Sequence, residues 1–150
     1  LYYKEYTRIF SRKLIMESTY VCQENDFYKT NLKTDLDRLE EAERLIRLYA
    51  EASLVITSRI HCALPSLGME TPVIYLEKGQ DIEESKCRLA GLKDLFNVVK
   101  VDNGVLVPQF ETSLPIRLSN IPANKDTWRD LANNLKLKCR DFVSNSTILK

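Results

Sequence analysis

The apolar positions along this chain change period several times, and the changes divide it into segments. From Leu1 to Ile15 they fall at Tyr2, Tyr3, Tyr6, Ile9, Phe10 and Leu14, the spacing of a helix with one buried stripe. Ser18-Thr19-Tyr20-Val21-Cys22 reads as a strand, ended by the polar run Gln23-Glu24-Asn25-Asp26. Asn31 to Ala52 reads as a long helix, with Leu36, Leu39, Ala42, Leu45, Ile46, Tyr49 and Ala50 on one face and charges on the other. Thr34 or Asp35 can cap it, and Glu40 and Arg44 stand at the spacing of a helical ion pair. The charges from Asp37 to Arg47 are then a solvated face, not a binding patch.

The next stretch changes period twice within 25 residues. Leu54-Val55-Ile56 is a continuous apolar run, as expected of a parallel strand covered on both faces. Thr57-Ser58-Arg59 breaks the run, and a short helix follows. Pro65 constrains where that helix begins, because proline inside a helix removes a hydrogen bond and clashes with the preceding turn. Either the helix starts near Cys62 to Leu64, leaving Ser58 to His61 as a loop across the sheet edge, or it kinks. Gly68 to Thr71 ends it, and Pro72-Val73-Ile74-Tyr75-Leu76 is a second buried strand.

Beyond this unit the pattern weakens. Glu77 to Lys86 reads as a polar surface loop and Ser85 to Phe96 as a short helix containing Gly91. Val98 to Val101 is a strand, and Asp102 to Asn120 reads as loop, punctuated by Gly104, Pro108 and Pro115. A closing helix from about Asn124 places Trp128, Leu131, Leu135, Cys139, Phe142 and Val143 on one face, which is expected to pack across the sheet with Trp128 in the core. The alternation of helices and strands predicts an α/β fold: a Rossmann-like layered domain with a mainly parallel sheet of about four strands.

Composition narrows the function classes. The chain has 150 residues, enough for one domain with a real core. Its 22 basic and 21 acidic residues leave a net charge of +1, which argues against a nucleic-acid binder driven by phosphate contacts. The four cysteines are widely spaced and there is one histidine, so no zinc site is expected; reduced, mostly buried thiols of a cytoplasmic protein are. No apolar run approaches the ~18 residues of a membrane span. There is no GxGxxG after a strand, no Walker phosphate loop and no GxSxG. The chain opens on Leu1, as a piece of a longer protein would.

Candidate chemistry gathers where the first buried strand ends. Ligands of open α/β sheets bind at the carboxyl edge of the strands, and Arg59 and His61, the only histidine, stand at that edge. A guanidinium offers paired donors to a carboxylate or phosphate, and an imidazole titrates in the range of a general acid or base. The structural alternative has Arg59 capping the strand end through a carboxylate such as Glu77, with His61 a hydrogen-bonded residue of the helix start. Ser58 either contacts an anion or caps a helix. Cys62 is expected to be packed rather than reactive. Arg88 is a second candidate anion ligand or a plain surface arginine; Lys78 and Lys86 are weaker candidates.

The motif Ser58-Arg59-Ile60-His61-Cys62-Ala63-Leu64-Pro65, followed by Thr71-Pro72-Val73-Ile74, resembles the signature of the polysaccharide pyruvyl transferase family. Arg88-Leu89-Ala90-Gly91-Leu92 before Asp94-Leu95-Phe96-Asn97 resembles a second family element. Two positions depart from it: Glu70 stands where relatives often have glycine, and Gln23 where they often have histidine. The resemblance implies one half of a GT-B-like fold, with residues 1–150 the carboxyl-terminal, Rossmann-like half of a two-domain protein. It implies transfer of the enolpyruvyl group of phosphoenolpyruvate onto sugar hydroxyls as a pyruvate ketal, in exopolysaccharide or capsule synthesis. It places phosphoenolpyruvate, as donor substrate, at Arg59, the backbone of Ile60, and His61; no further cofactor is expected and no residue is assigned to a metal. The implied partners are a sugar or lipid-linked oligosaccharide acceptor and the amino-terminal half; neither nucleic acid nor a transmembrane segment is expected. A GT-B-like glycosyltransferase using a nucleotide sugar, or a non-catalytic glycan- or partner-binding module, are the alternatives.

Overall fold

The computed structural model describes residues 2–22, 31–77 and 91–146. The described elements run α1 (Tyr2–Ile9), α2 (Arg12–Glu17), α3 (Asp35–Glu51), β1 (Val55–Thr57), α4 (Ile60–Gly68), β2 (Val73–Glu77), a 3-10 turn (Lys93–Leu95), β3 (Asn97–Asp102), β4 (Val105–Pro108), a second 3-10 turn (Leu118–Asn120) and α5 (Thr127–Ser146). The four strands form one sheet in the order β1-β2-β3-β4. β1, β2 and β3 are parallel and β4 is antiparallel to β3. The α/β architecture with a mostly parallel, helix-flanked sheet is therefore as the sequence pattern predicts.

Two apolar layers cover the sheet. Val73 and Tyr75 of β2 join Leu45 and Tyr49 of α3, Cys62, Ala63 and Leu67 of α4, and Phe96. Trp128, at the start of α5, packs against this layer. Ile74 of β2 and Val99 of β3 face the other way, into Ile9, Phe10, Leu14, Leu106 and Ile116. This alternation across a doubly covered sheet explains the near-continuous apolar sequence of β2.

Several sequence expectations need correction. The amino-terminal helix is broken at Phe10, whose backbone makes a parallel bridge to Ile116; Ser11 then caps α2 through its hydroxyl. The expected strand at Ser18 to Cys22 does not form. The Ser18 hydroxyl donates to the Leu14 carbonyl at 2.6 Å and the Tyr20 hydroxyl to that of Ile15 at 2.8 Å, folding the segment back on α2. The fourth strand lies instead inside the expected loop of 102–120. Asn103 and Gly104 both adopt positive φ (47° and 80°), the backbone of a two-residue hairpin turn. At α3 the Thr34 cap forms as a capping box with Asp37, and Arg44 engages Glu41 at 2.7 Å. Of the expected helix ending at Phe96, the described part from residue 91 contains only the 3-10 turn; the rest, with the Gln23 to Asp26 and Lys78 to Lys86 readings, lies outside the described residues.

The expectation for α5 is met only at its first turn. Asn124 holds the entry: its side-chain oxygen accepts from the Val73 N–H at 2.9 Å and its amide donates to the Thr71 carbonyl at 2.8 Å. Arg129 donates to Glu70 at 2.7 Å, and its guanidinium lies 4.8 Å from the Trp128 ring centroid. Beyond this anchor Leu131 and Leu135 are exposed, because the helix runs off the layer that Trp128 completes.

Replacing Asn124 by alanine removes both bonds and leaves the first N–H of β2 without its acceptor. The expected cost is about 1–3 kcal/mol, read as a lower urea midpoint at unchanged slope.

Candidate active site

The turn between β1 and α4 is built by four hydrogen bonds. The Arg59 N–H donates to the Thr57 hydroxyl at 3.0 Å, reversing the chain directly after the strand. The Tyr75 hydroxyl donates to the Ser58 carbonyl at 3.2 Å, tying the turn to β2. The Arg59 carbonyl accepts from the Cys62 and Ala63 N–H groups, both at 3.0 Å, and so starts the helix. α4 therefore begins at Ile60 with Pro65 inside it, so of the two alternatives the loop from Ser58 to His61 is not what forms, and His61 belongs to the first turn of the helix.

Pro65 sits in the second turn, where its missing N–H would have reached the His61 carbonyl. Both residues are exposed, so water can serve that carbonyl. The opposite side of the helix is fixed: Cys62, Ala63, Ser66 and Leu67 are buried, and the Ser66 hydroxyl donates to the Cys62 carbonyl at 2.9 Å. Burial of Cys62 matches its expected packing role.

The start of α4 has no side-chain cap, since Arg59 occupies the cap position with extended backbone. Among the described residues, the Ile60 and His61 N–H groups have no acceptor. A helix start with open N–H groups carries a partial positive charge and attracts anions. The Arg59 and His61 side chains are exposed beside it, and neither is engaged by a hydrogen bond or ion pair among the described residues. Ser58 and Ile60 are half-buried, and the Ser58 hydroxyl caps nothing. The alternative in which Glu77 holds Arg59 is not what forms. Glu77 pairs with Lys93 at 2.7 Å and lies 3.7 Å from Lys100.

That second cluster escaped the sequence reading. Glu77 ends β2 two residues beyond Tyr75, on the same strand face, and pairs in register with Lys100 of β3. It thus lies at the same sheet edge as Arg59. The available signal was a lone carboxylate closing a buried strand. Thr57 and Tyr75, which position the turn, were also missed; nothing in a strand sequence distinguishes a tyrosine that packs from one that also donates. Arg88, Lys78 and Lys86 lie outside the described residues, and among the described residues no group of acidic, histidine and cysteine side chains could hold a metal.

The geometry sets open helix-start N–H groups beside an exposed guanidinium and imidazole at the carboxyl edge of a parallel sheet. The sequence model of one family, polysaccharide pyruvyl transferase, matches residues 1–77. The chain belongs to that family. No curated protein and no solved structure matches it. The pyruvyl transferase match takes in β1, α4 and β2 and ends at Glu77, so Arg59 and His61 fall inside it, whereas Arg88, β3, β4 and α5 fall outside.

The far end of α4 carries the departure at Glu70. Its φ is +65°, a left-handed conformation that favours glycine. Its carboxylate accepts from Arg129, which holds its pKa below the ordinary glutamate value. A lowered pKa means the pair contributes above the unfolded-state pKa and is lost as pH falls through the folded one.

Two predictions follow from this geometry. Tyr75→Phe is expected to cost about 0.5–1.5 kcal/mol in chemical denaturation, by freeing the turn that carries Arg59. Glu70→Gly is expected to stabilise by about 0.5–1 kcal/mol at neutral pH, because relief of left-handed strain outweighs an exposed ion pair. Its advantage over wild type should widen in melts taken as pH falls through the lowered folded-state pKa of Glu70, where the wild-type pair is lost.

Proposed function

We propose that this chain binds phosphoenolpyruvate at the carboxyl edge of β1 and transfers its enolpyruvyl carbons onto two hydroxyls of a sugar, forming a pyruvate ketal. The observation that carries the reading is the uncapped start of α4 with exposed Arg59 and His61 at its mouth, inside a segment that matches pyruvyl transferases. Phosphoenolpyruvate bears a carboxylate and a phosphate on adjacent groups. Arg59 supplies paired donors to one of them. The open N–H groups of Ile60 and His61 serve the other, with the Ser58 hydroxyl beside them.

The reaction needs one proton delivered to the enol methylene carbon and two protons removed from the sugar. One hydroxyl oxygen adds to the carbon that carries the phosphate. The phosphate departs with its bridging oxygen, and the second hydroxyl closes the ketal. Of the two hydroxyl protons, one balances the new methyl group and the other leaves with the phosphate. His61 either moves the proton or binds the anion, and these roles have different kinetic signatures.

The acceptor in this reading is a sugar or lipid-linked oligosaccharide of surface or capsular polysaccharide synthesis, met on the cytoplasmic side. The chain acts as the carboxyl-terminal half of a GT-B-like enzyme, whose amino-terminal half supplies the other wall; alone it is inactive. Arg88 is the second candidate anion ligand of this reading.

The test uses the full-length protein. Phosphoenolpyruvate should raise its melting temperature in a saturable way, and Arg59→Ala should weaken that binding about tenfold to a hundredfold. His61→Ala should lower kcat by about two to four orders of magnitude if the imidazole transfers the proton, or raise the phosphoenolpyruvate KM alone if it binds the anion. Intact ketal formation in His61→Ala, together with no thermal shift by phosphoenolpyruvate, overturns the reading. A shift with a nucleoside diphosphate instead assigns the cleft to a nucleotide-sugar donor.

A further inference from the structure

α5 extends well beyond its anchor. Its 20 residues span about 30 Å, and among its first ten residues only Trp128 and Ala132 are even half-buried. Leu131 is 58% and Leu135 63% exposed, and Cys139, Phe142 and Val143 are exposed as well. At about 100° per residue, Trp128, Leu131, Leu135, Cys139, Phe142 and Val143 share one arc about 120° wide.

The charges on α5 are sorted around that arc. Lys138 borders it on one side and Lys136 on the other, with Arg140 just outside Lys136. The helix's acids, Asp130 and Asp141, fall on the opposite face. Lys136, Lys138 and Arg140 are exposed, and none has an acidic partner among the described residues. An apolar stripe edged on both sides by lysines, with the acids turned away, is complementary to a surface that is apolar in depth and negative at its face. Antiparallel pairing with a second copy of α5 would instead set these basic borders against each other. A bilayer with anionic headgroups over an acyl interior is a surface of that description, and no helix among the described residues is long and apolar enough to cross one.

We propose that α5 docks the protein onto an anionic lipid bilayer, with Leu131 and Leu135 entering the acyl boundary and Lys136, Lys138 and Arg140 meeting the lipid headgroups. The inference is independent of the reaction assigned above.

The test is co-sedimentation of the full chain with vesicles of phosphatidylcholine alone and of phosphatidylcholine containing about 30% phosphatidylglycerol. The chain should pellet with the anionic vesicles about tenfold more strongly than with the neutral ones, and should be released at about 0.5 M salt. Combined Lys136→Gln, Lys138→Gln and Arg140→Gln should lower the partition coefficient at least about tenfold. Combined Leu131→Ser and Leu135→Ser should abolish binding while leaving the thermal midpoint unchanged, since neither side chain is in the core. Failure to pellet, equal binding to both compositions, or variants that bind like wild type would overturn the proposal. A dimer in sedimentation velocity that the leucine variant abolishes, without vesicle binding, would assign the face to a second copy instead.

Discussion

The rest of the structure depends on the burial of the first three residues of β2. Val73, Ile74 and Tyr75 are consecutive and all buried, at 1%, 0% and 4% exposure, so both faces of the strand must be covered and both edges paired. Parallel pairing with β1 requires a crossover, and α4 is that crossover. A crossover helix in a parallel sheet begins where the preceding strand ends, which sets the start of α4 at the carboxyl edge. The site is in this sense a product of core burial: the apolar run places the polar one.

Burial of Tyr75 also gives the site its stiffness. The ring stacks on Phe96 with centroids 5.7 Å apart, while the hydroxyl reaches the Ser58 carbonyl. One side chain thus links the core to the turn immediately before Arg59. The turn needs such a tie because no side chain caps the helix it opens into. A cap at that position would satisfy the open N–H groups from within and leave nothing for an anion to engage. Local stability and the proposed anion recognition compete for the same donors, and the tie from β2 holds the turn without consuming them.

How much of this could be read from the sequence varied with how local the signal was. The β1–α4–β2 unit was legible because unbroken apolar runs separated by a short polar turn have few other solutions. The hairpin of β3 and β4 was equally local, since Asn103-Gly104 between two valine-rich runs is a strong turn signal; the prolines at 108 and 115 carry the opposing signal of a loop. Ser18 to Cys22 failed for the opposite reason. Its residues suit a strand, but strand formation requires an edge to pair with, and two side-chain hydrogen bonds to α2 compete. The stripe on α5 was visible as a stripe, but periodicity does not say what an apolar face meets. At the site, the positions of Arg59 and His61 were legible, whereas the partners of Glu77 were not, because Lys93 and Lys100 are brought to it only by the pairing of β3.

The anchor of α5 has a consequence for how the two ends of the sheet are used. Asn124 and Arg129 attach the helix to Thr71, Val73 and Glu70, which lie at the amino end of β2. Arg59, His61 and Glu77 lie at the carboxyl end. Five residues of strand separate these edges, a distance of about 13–17 Å. The two ends of the sheet are thus divided: the amino end holds the entry to α5, the carboxyl end presents Arg59 and His61, and a substitution at Asn124 or Glu70 reaches the turn before α4 only through β2 and α4.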